Sequence, residues 1–178
     1  MQNPMVMTII GKDKTGILKS LSRLIAEHDG NWLESRLCRL GGEFAGILRI
    51  HIPKEREQEF VAALRILESD GLTVVIRPDE AAPLAKASRS ASLSLVGQDR
   101  PGIIFKISAA LARQNINVEE LETECSSAPM SGEMIFKATA RLQMPESCLL
   151  PELRRELEEI GSELMVDISF AETQQHSF

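Results

Sequence analysis

The sequence contains no tyrosine and one tryptophan, and aromatic residues make up only 4% of its 178 positions. Its core must therefore be aliphatic, drawn from a hydrophobic content of 43%. Cysteine is scarce too. Cys38, Cys125 and Cys148 are odd in number and far apart, with no CxxC pair and no Cys/His spacing for zinc. Such thiols fit a reducing compartment, not a disulfide scaffold. Positive charge is in deficit, with 20 Lys and Arg against 26 Asp and Glu and a net charge of −6. A direct nucleic-acid binder needs a basic surface to displace counterions, so the balance argues against one, and against an anionic membrane surface. The opening MQNPMVMTII has no basic segment followed by a long apolar one, and no apolar run approaches transmembrane length. These absences predict a soluble, cytoplasmic protein.

What is present is a repeat. IIGKDKTGILKSLSRLIAEHDGNWLE returns as LVGQDRPGIIFKISAALARQNINVEE, so that Gly11, Asp13, Gly16 and Asn31 match Gly97, Asp99, Gly102 and Asn117 at an offset of 86. GGEFAGILRIHIPKE corresponds to SGEMIFKATARLQMPES, each reaching a proline, Pro53 or Pro145. GLTVVI corresponds to ELMVDI, with the offset grown to 92. A period of this length signals duplicated structural units. Between the copies, RPDEAAPLAKASRSA is rich in Ala, Ser, Pro and charge and has no sustained apolar period. The expected division is a first domain at 1–78, a linker at 79–90, a second domain at 91–172 and a tail at 173–178.

Periodicity orders the elements within each copy. Met5 to Ile10 is a short apolar strand, and Ile17, Leu18, Leu21, Leu24 and Ile25 fall at helical spacing. Asp29-Gly30 suits the end of that helix, with glycine as its C-terminal cap. Gly41-Gly42, between NWLESRLCRL and FAGILRIHI, is a hairpin signal. Phe60, Leu64 and Leu67 mark a second helix, and LTVVI a last strand. In the second copy Leu150, Leu153, Leu157 and Ile160 form the helical stripe, and Glu152, Arg154, Arg155, Glu156, Glu158 and Glu159 a solvated face. The order is βαββαβ twice, an α+β ferredoxin-like arrangement with antiparallel sheets. Each copy has roughly 80 residues and a modest core. The two are expected to pack together, or the protein to form a homodimer. The second strand is an edge in this fold, and carries Arg36 and Arg39 in one copy but Glu120, Glu122 and Glu124 in the other. Opposite charges would let those edges pair.

The stretch Gly11-Lys-Asp-Lys-Thr-Gly16 joins strand to helix. Its glycines are spaced as in a phosphate-binding loop, but Ile17-Leu18 stand where Lys and Ser/Thr would be needed, and the three-glycine dinucleotide pattern is absent. Glycine permits positive φ and close approach at Gly16 and Gly102. The first helical turn has free amides that suit a carboxylate. Asp13 and Asp99 either cap the helix or receive a ligand's ammonium, and Asn31 and Asn117 are turn residues or ligand contacts. A zwitterion suits this mixture.

Two βαββαβ units carrying GKDKTGIL and GQDRPGII, each with an Asn opening the second strand, resemble tandem ACT domains. The resemblance covers nearly the whole chain. It implies a small-molecule sensor, most often of amino acids, and no enzyme activity or cofactor. A stand-alone pair resembles the glycine cleavage system transcriptional repressor family. That likeness implies a glycine-responsive repressor of glycine cleavage genes, acting through a DNA-binding transcriptional activator protein. Carried over by position, the ligand residues are Gly11, Asp13, Lys14, Thr15, Gly16, Ile17 and Asn31 in one copy. In the other they are Gly97, Asp99, Arg100, Pro101, Gly102, Ile103 and Asn117. Thr15 departs from the Pro-Gly form that Pro101 keeps.

Two rival functions, an enzyme and an RNA-recognition module, have weaker support, and a third fits equally well. His28, His51 and His176 lack a nearby Ser, Cys or Asp relay or metal spacing, and the glutamates at 119, 120, 122 and 124 read as a solvated face. An RNA-recognition module shares the element order, but only Phe44 and Phe136 could serve as stacking residues. A regulatory subunit of a metabolic enzyme fits the same residues as a transcriptional regulator.

Overall fold

The computed structural model describes residues 2–69, 71–79, 88–128 and 132–173. The chain divides into two compact units, Met1–Ala82 and Pro83–Phe178. The first contains β1 (Gln2–Lys12), α1 (Ile17–Glu27), β2 (Asn31–Leu40), β3 (Glu43–Pro53), a 3-10 turn (Lys54–Arg56), α2 (Glu57–Ser69) and β4 (Leu72–Pro78). The second contains β5 (Ser88–Gln98), α3 (Ile103–Arg113), β6 (Asn117–Ser127), β7 (Met134–Pro145), α4 (Leu150–Leu164) and β8 (Val166–Thr173). The sheets run β2-β3-β1-β4 and β6-β7-β5-β8, antiparallel throughout. This is the expected βαββαβ fold, built twice.

Alternation decides which face of each strand is covered. Met5, Met7 and Ile9 on β1 and Leu48, Ile50 and Ile52 on β3 are buried, and Ile17, Leu21, Leu24 and Ile25 of α1 close over them with Phe60, Leu64 and Leu67 of α2. The second core repeats the scheme with Ala91, Leu93 and Leu95 under the stripes of α3 and α4. A groove of about 30 Å³, open to solvent past Val118 and Leu121, lies between α3 and strands β5, β6 and β7, lined in part by Ala138 and Ala140. By strand register Leu48 faces Met7 as Ala140 faces Leu93, so the first copy has a larger side chain at that position. Trp32 likewise stands where the second copy has Val118.

Several local features differ from the expectations. Ser88, Arg89 and Ser90, expected in the linker, are the first residues of β5. They keep strict register with β7, and Arg89 pairs with Glu172 of β8 at 3.3 Å. Most of the linker, 80–87, and the tail at 174–178 lie outside the described residues. At the end of α1 the left-handed residue is Asp29 (φ 53°), not Gly30. Gly30 is crowded, since a Cβ there would lie 2.9 Å from the Ile25 carbonyl oxygen and 2.4 Å from Ile52 Cδ1. Asn115 (φ 53°) takes the place of Asp29 in the second copy. Gly41 and Gly42 both have positive φ, as a two-residue hairpin turn requires. On α4, Glu156 is half-buried and pairs with Arg113 of α3, while the rest of its charged face is exposed.

The edge strands β2 and β6 share a bulge. Register skips Leu33 between Trp32 and Glu34, and Glu119 between Val118 and Glu120. Their charges are partly engaged within their own sheets. Arg39 pairs with Asp13 and Arg36 with Glu34, while Arg141 of β7 holds Glu119 at 3.1 Å and Glu120 at 2.8 Å.

Candidate ligand-binding loops

Each loop begins where the first strand of its copy meets the last. A Cβ on Gly11 would lie 2.6 Å from the Gly71 carbonyl oxygen, and one on Gly97 would lie 2.4 Å from Val166 Cγ1 and 2.7 Å from its Cα. These first glycines are therefore packing residues that keep the strand ends together. The loop is then pinned to the neighbouring hairpin: the Asp13 N–H donates to the Gly42 carbonyl at 2.9 Å, and the Asp99 N–H to the Met134 carbonyl at 2.8 Å.

The second glycines act through conformation. Gly16 (φ 100°, ψ −5°) and Gly102 (φ 92°, ψ 0°) are left-handed, and nothing lies within 4 Å of where a Cβ would stand on either. These are the dihedrals of the third residue of a type II turn, whose second residue favours proline. Pro101 meets that preference and Thr15 does not. The open space above both glycines leaves the helix starts approachable.

Neither helix is capped by a side chain, and neither first turn holds an acidic residue. The capping alternative for Asp13 and Asp99 is thereby excluded. The first intrahelical bonds run from Ser20 N–H to Gly16 and from Lys106 N–H to Gly102, at 2.9 and 3.0 Å. The amides of Ile17 and Ile103 come before these bonds and have no acceptor within their own helices. Their side chains are buried in the cores, so only their backbone can face a ligand.

The two aspartates differ in company. Asp13 accepts a charged contact from Arg39 Nε at 2.7 Å. Asp99 instead meets the thiol of Cys125, whose pKa lies above the ordinary thiol value through desolvation and then through the charge and hydrogen bonding of Asp99. Arg39 and Cys125 are equivalent: Arg39 pairs with Phe44, the partner of Gly11, and Cys125 with Phe136, the partner of Gly97. The offset of 86 that relates the aspartates also relates this pair, a signal present in the sequence that the loop motif alone does not reveal. Lys14, Thr15 and Pro101 are exposed. Arg100 turns away toward the α4–β8 junction, with Nη2 3.1 Å from Gln98 Oε1 and 3.9 Å from Met165 S.

Asn31 and Asn117 are not brought to the loops of their own copies. Each opens its edge strand, whereas the loop abuts the far end of that strand at Arg39 or Cys125. At 3.3 Å per residue this separation is roughly 25 Å.

Among the described residues no other grouping stands out chemically. His28 Nδ1 lies 2.8 Å from the Leu24 carbonyl and its ring meets Phe60 edge-on, while His176 lies outside the described residues. Among the described residues no group of three His, Cys, Asp or Glu could hold a metal ion, and no helix is long and apolar enough to cross a membrane. Phe44 and Phe136 are half-buried against the two cores, on the helix-covered side of each sheet, so neither offers an open stacking platform.

The folded units and their loops define the class. Residues 3–76 match one ACT-domain family and residues 91–140 a second, and the chain belongs to the ACT-domain proteins, with two such domains in tandem. A UPF0237 protein of Methanopyrus kandleri is 32% identical over 79 residues, covering 44% of this chain and 81% of the relative. The crystal structure of an unknown protein from Galdieria sulphuraria superposes with a TM-score of 0.86 at 28% identity, covering 97% of this chain and 99% of that one. A candidate glycine cleavage system transcriptional repressor superposes with a TM-score of 0.69 at 18% identity, covering 98% and 99%. At that identity the likeness is one of fold. ACT domains are regulatory modules that bind small amino acids, and the chain is of that regulatory class.

Proposed function

We propose that the protein is a non-catalytic amino-acid sensor, responsive above all to glycine, which represses glycine cleavage genes by contacting a DNA-binding activator in the cytoplasm. The observation that carries the reading is the approachable, uncapped helix start beside an aspartate, present in both copies. The helix-start amides suit a ligand carboxylate, and an aspartate carboxylate suits its ammonium. A ligand with both groups and little else is a small amino acid. The fold shared with a candidate glycine cleavage repressor supports the choice of glycine. The acidic balance of the chain favours action through a second protein rather than on DNA itself.

An amino acid alters such a contact only if it binds the free and partnered forms with different affinity, and the partner must then change amino-acid affinity by the same factor. The test is a gel-shift series with operator DNA: this protein alone, then with the activator, then with glycine added. Retardation of DNA by the isolated protein refutes the indirect route. A complex insensitive to every amino acid refutes the sensor. Amino-acid binding with no activator contact would favour a regulatory subunit of an enzyme.

A further inference from the structure

We infer that the two loops are not equivalent, and that Arg39 competes with a ligand's ammonium group in the first while Cys125 leaves the second open. The inference rests on the reading of the loops as amino-acid sites and adds which copy binds more tightly and which residue decides it.

The comparison is internal to one chain, because the backbone of the two loops is the same. Both aspartate N–H groups bond to the following hairpin, both glycines are left-handed, and both helices start uncapped. What differs is the charge around the carboxylate. In the first copy Asp13 is flanked by Lys12 and Lys14 and is held by Arg39 at 2.7 Å. A ligand ammonium arriving there must displace the guanidinium or share the carboxylate with it, among like charges. In the second copy the equivalent positions are Gln98, Arg100 and Cys125. Arg100 points to Gln98 and Met165, and the thiol beside Asp99 is a neutral, weak donor. The group beside Asp99 is thus a neutral thiol that an incoming cation need not displace, whereas Asp13 already pairs with a guanidinium from within its own domain.

The duplication also supplies the control, since each copy contains the other's residue at the same place. The experiment is isothermal calorimetry on the full chain under reducing conditions, with each of the twenty amino acids in turn and N-acetylglycine as a probe without an ammonium group. The wild-type protein should bind an amino acid at one tighter site per chain, with the first loop weaker by up to about fivefold, and leave N-acetylglycine unbound. Cys125→Arg should weaken the tighter site by up to about fivefold, the scale of an exposed ion pair acting as competitor. Arg39→Cys should bring the first loop to the affinity of the second, giving two equal equivalents per chain, and the double exchange should restore one tighter site. Both positions are exposed, and far-ultraviolet circular dichroism of each variant checks that the fold is kept. Two equal equivalents in the wild type would overturn the inference while leaving the loops as amino-acid sites. Binding unchanged in both single variants would overturn it too. No binding of any amino acid to the wild type overturns the inference together with the reading beneath it.

Discussion

Replacing Gly11 and Gly16 by alanine should destabilise the first domain for unrelated reasons, and the two causes can be separated. At Gly11 the added Cβ lies 2.6 Å from the Gly71 carbonyl oxygen, 2.9 Å from Leu72 Cδ2 and 3.2 Å from Leu72 Cα. Two of these are backbone atoms, which cannot swing away. Gly11 forms the last pair of β1 with β4, opposite Leu72, so the strand ends can part locally. Overpacking of this kind costs about 2–3 kcal/mol. At Gly16 nothing lies within 4 Å, and the cost comes from φ 100°. A left-handed alanine costs about 1–2 kcal/mol, offset by about 0.4–1 kcal/mol from the stiffer unfolded chain. The net is about 1 kcal/mol. Asparagine tolerates the left-handed region better than alanine but is larger. Gly16→Asn should therefore be milder than Gly16→Ala, and Gly11→Asn worse than Gly11→Ala. Trp32, the single tryptophan, packs against the first core, so its fluorescence in urea reports this domain. With a slope of about 1 kcal/mol per molar urea, midpoint losses of roughly 1 M at Gly16 and 2–3 M at Gly11 are expected for the two alanines. An identical ranking of alanine and asparagine at both sites would refute the assignment of packing to one and dihedral to the other.

Three further outcomes are expected. Ala140→Leu should place in the groove beside α3 the side chain that Leu48 supplies in the first copy, and the added apolar contact should stabilise the second domain by up to about 1 kcal/mol, read as a higher melting temperature. Asp99→Asn removes a negative charge that holds the Cys125 thiol protonated, so the pH midpoint of Cys125 alkylation by iodoacetamide should move down, as followed by mass spectrometry. Arg49 donates to Asp79 at 2.6 Å, with its own pKa raised by that hydrogen bond and charge, and Asp79 closes the end of β4 through an N–H bond to the Pro4 carbonyl. Asp79→Ala should lower the urea midpoint of the first domain by about 1 M or less, with the loss shrinking in high salt.

Periodicity makes most of the fold legible. The helical stripe from Ile17 to Ile25 and the alternation from Met5 to Ile9 each carry a core face in a short span, and the repeat lets each copy check the other. The start of β5 is hidden because Ser88, Arg89 and Ser90 owe their strand state to β7, a partner more than fifty residues away, and not to their own propensity. The crowding at Gly30 is hidden in part for a similar reason, since Ile52 on another strand adds to the contact with the Ile25 carbonyl. At the site, the positions of Gly16 and Gly102 are readable from turn chemistry. The grouping of Asn31 with the loop is not physical within one copy, because the strand carries it to the opposite end of the domain. Arg39 reads as an edge charge. Only register places it against Asp13.

The bulge shared by β2 and β6 limits what either outer strand can template. Ahead of it the backbone direction breaks at Leu33 and at Glu119, and beyond it the uninterrupted pairing runs from Glu34 to Leu40 and from Glu120 to Ser127. At about 3.3 Å per residue these are straight stretches of roughly 23–26 Å. An incoming strand longer than that would lose register at the bulge, where local twist increases. Each outer edge therefore acts as a ruler that admits short, finite pairings and interrupts the long in-register stacking from which fibres grow.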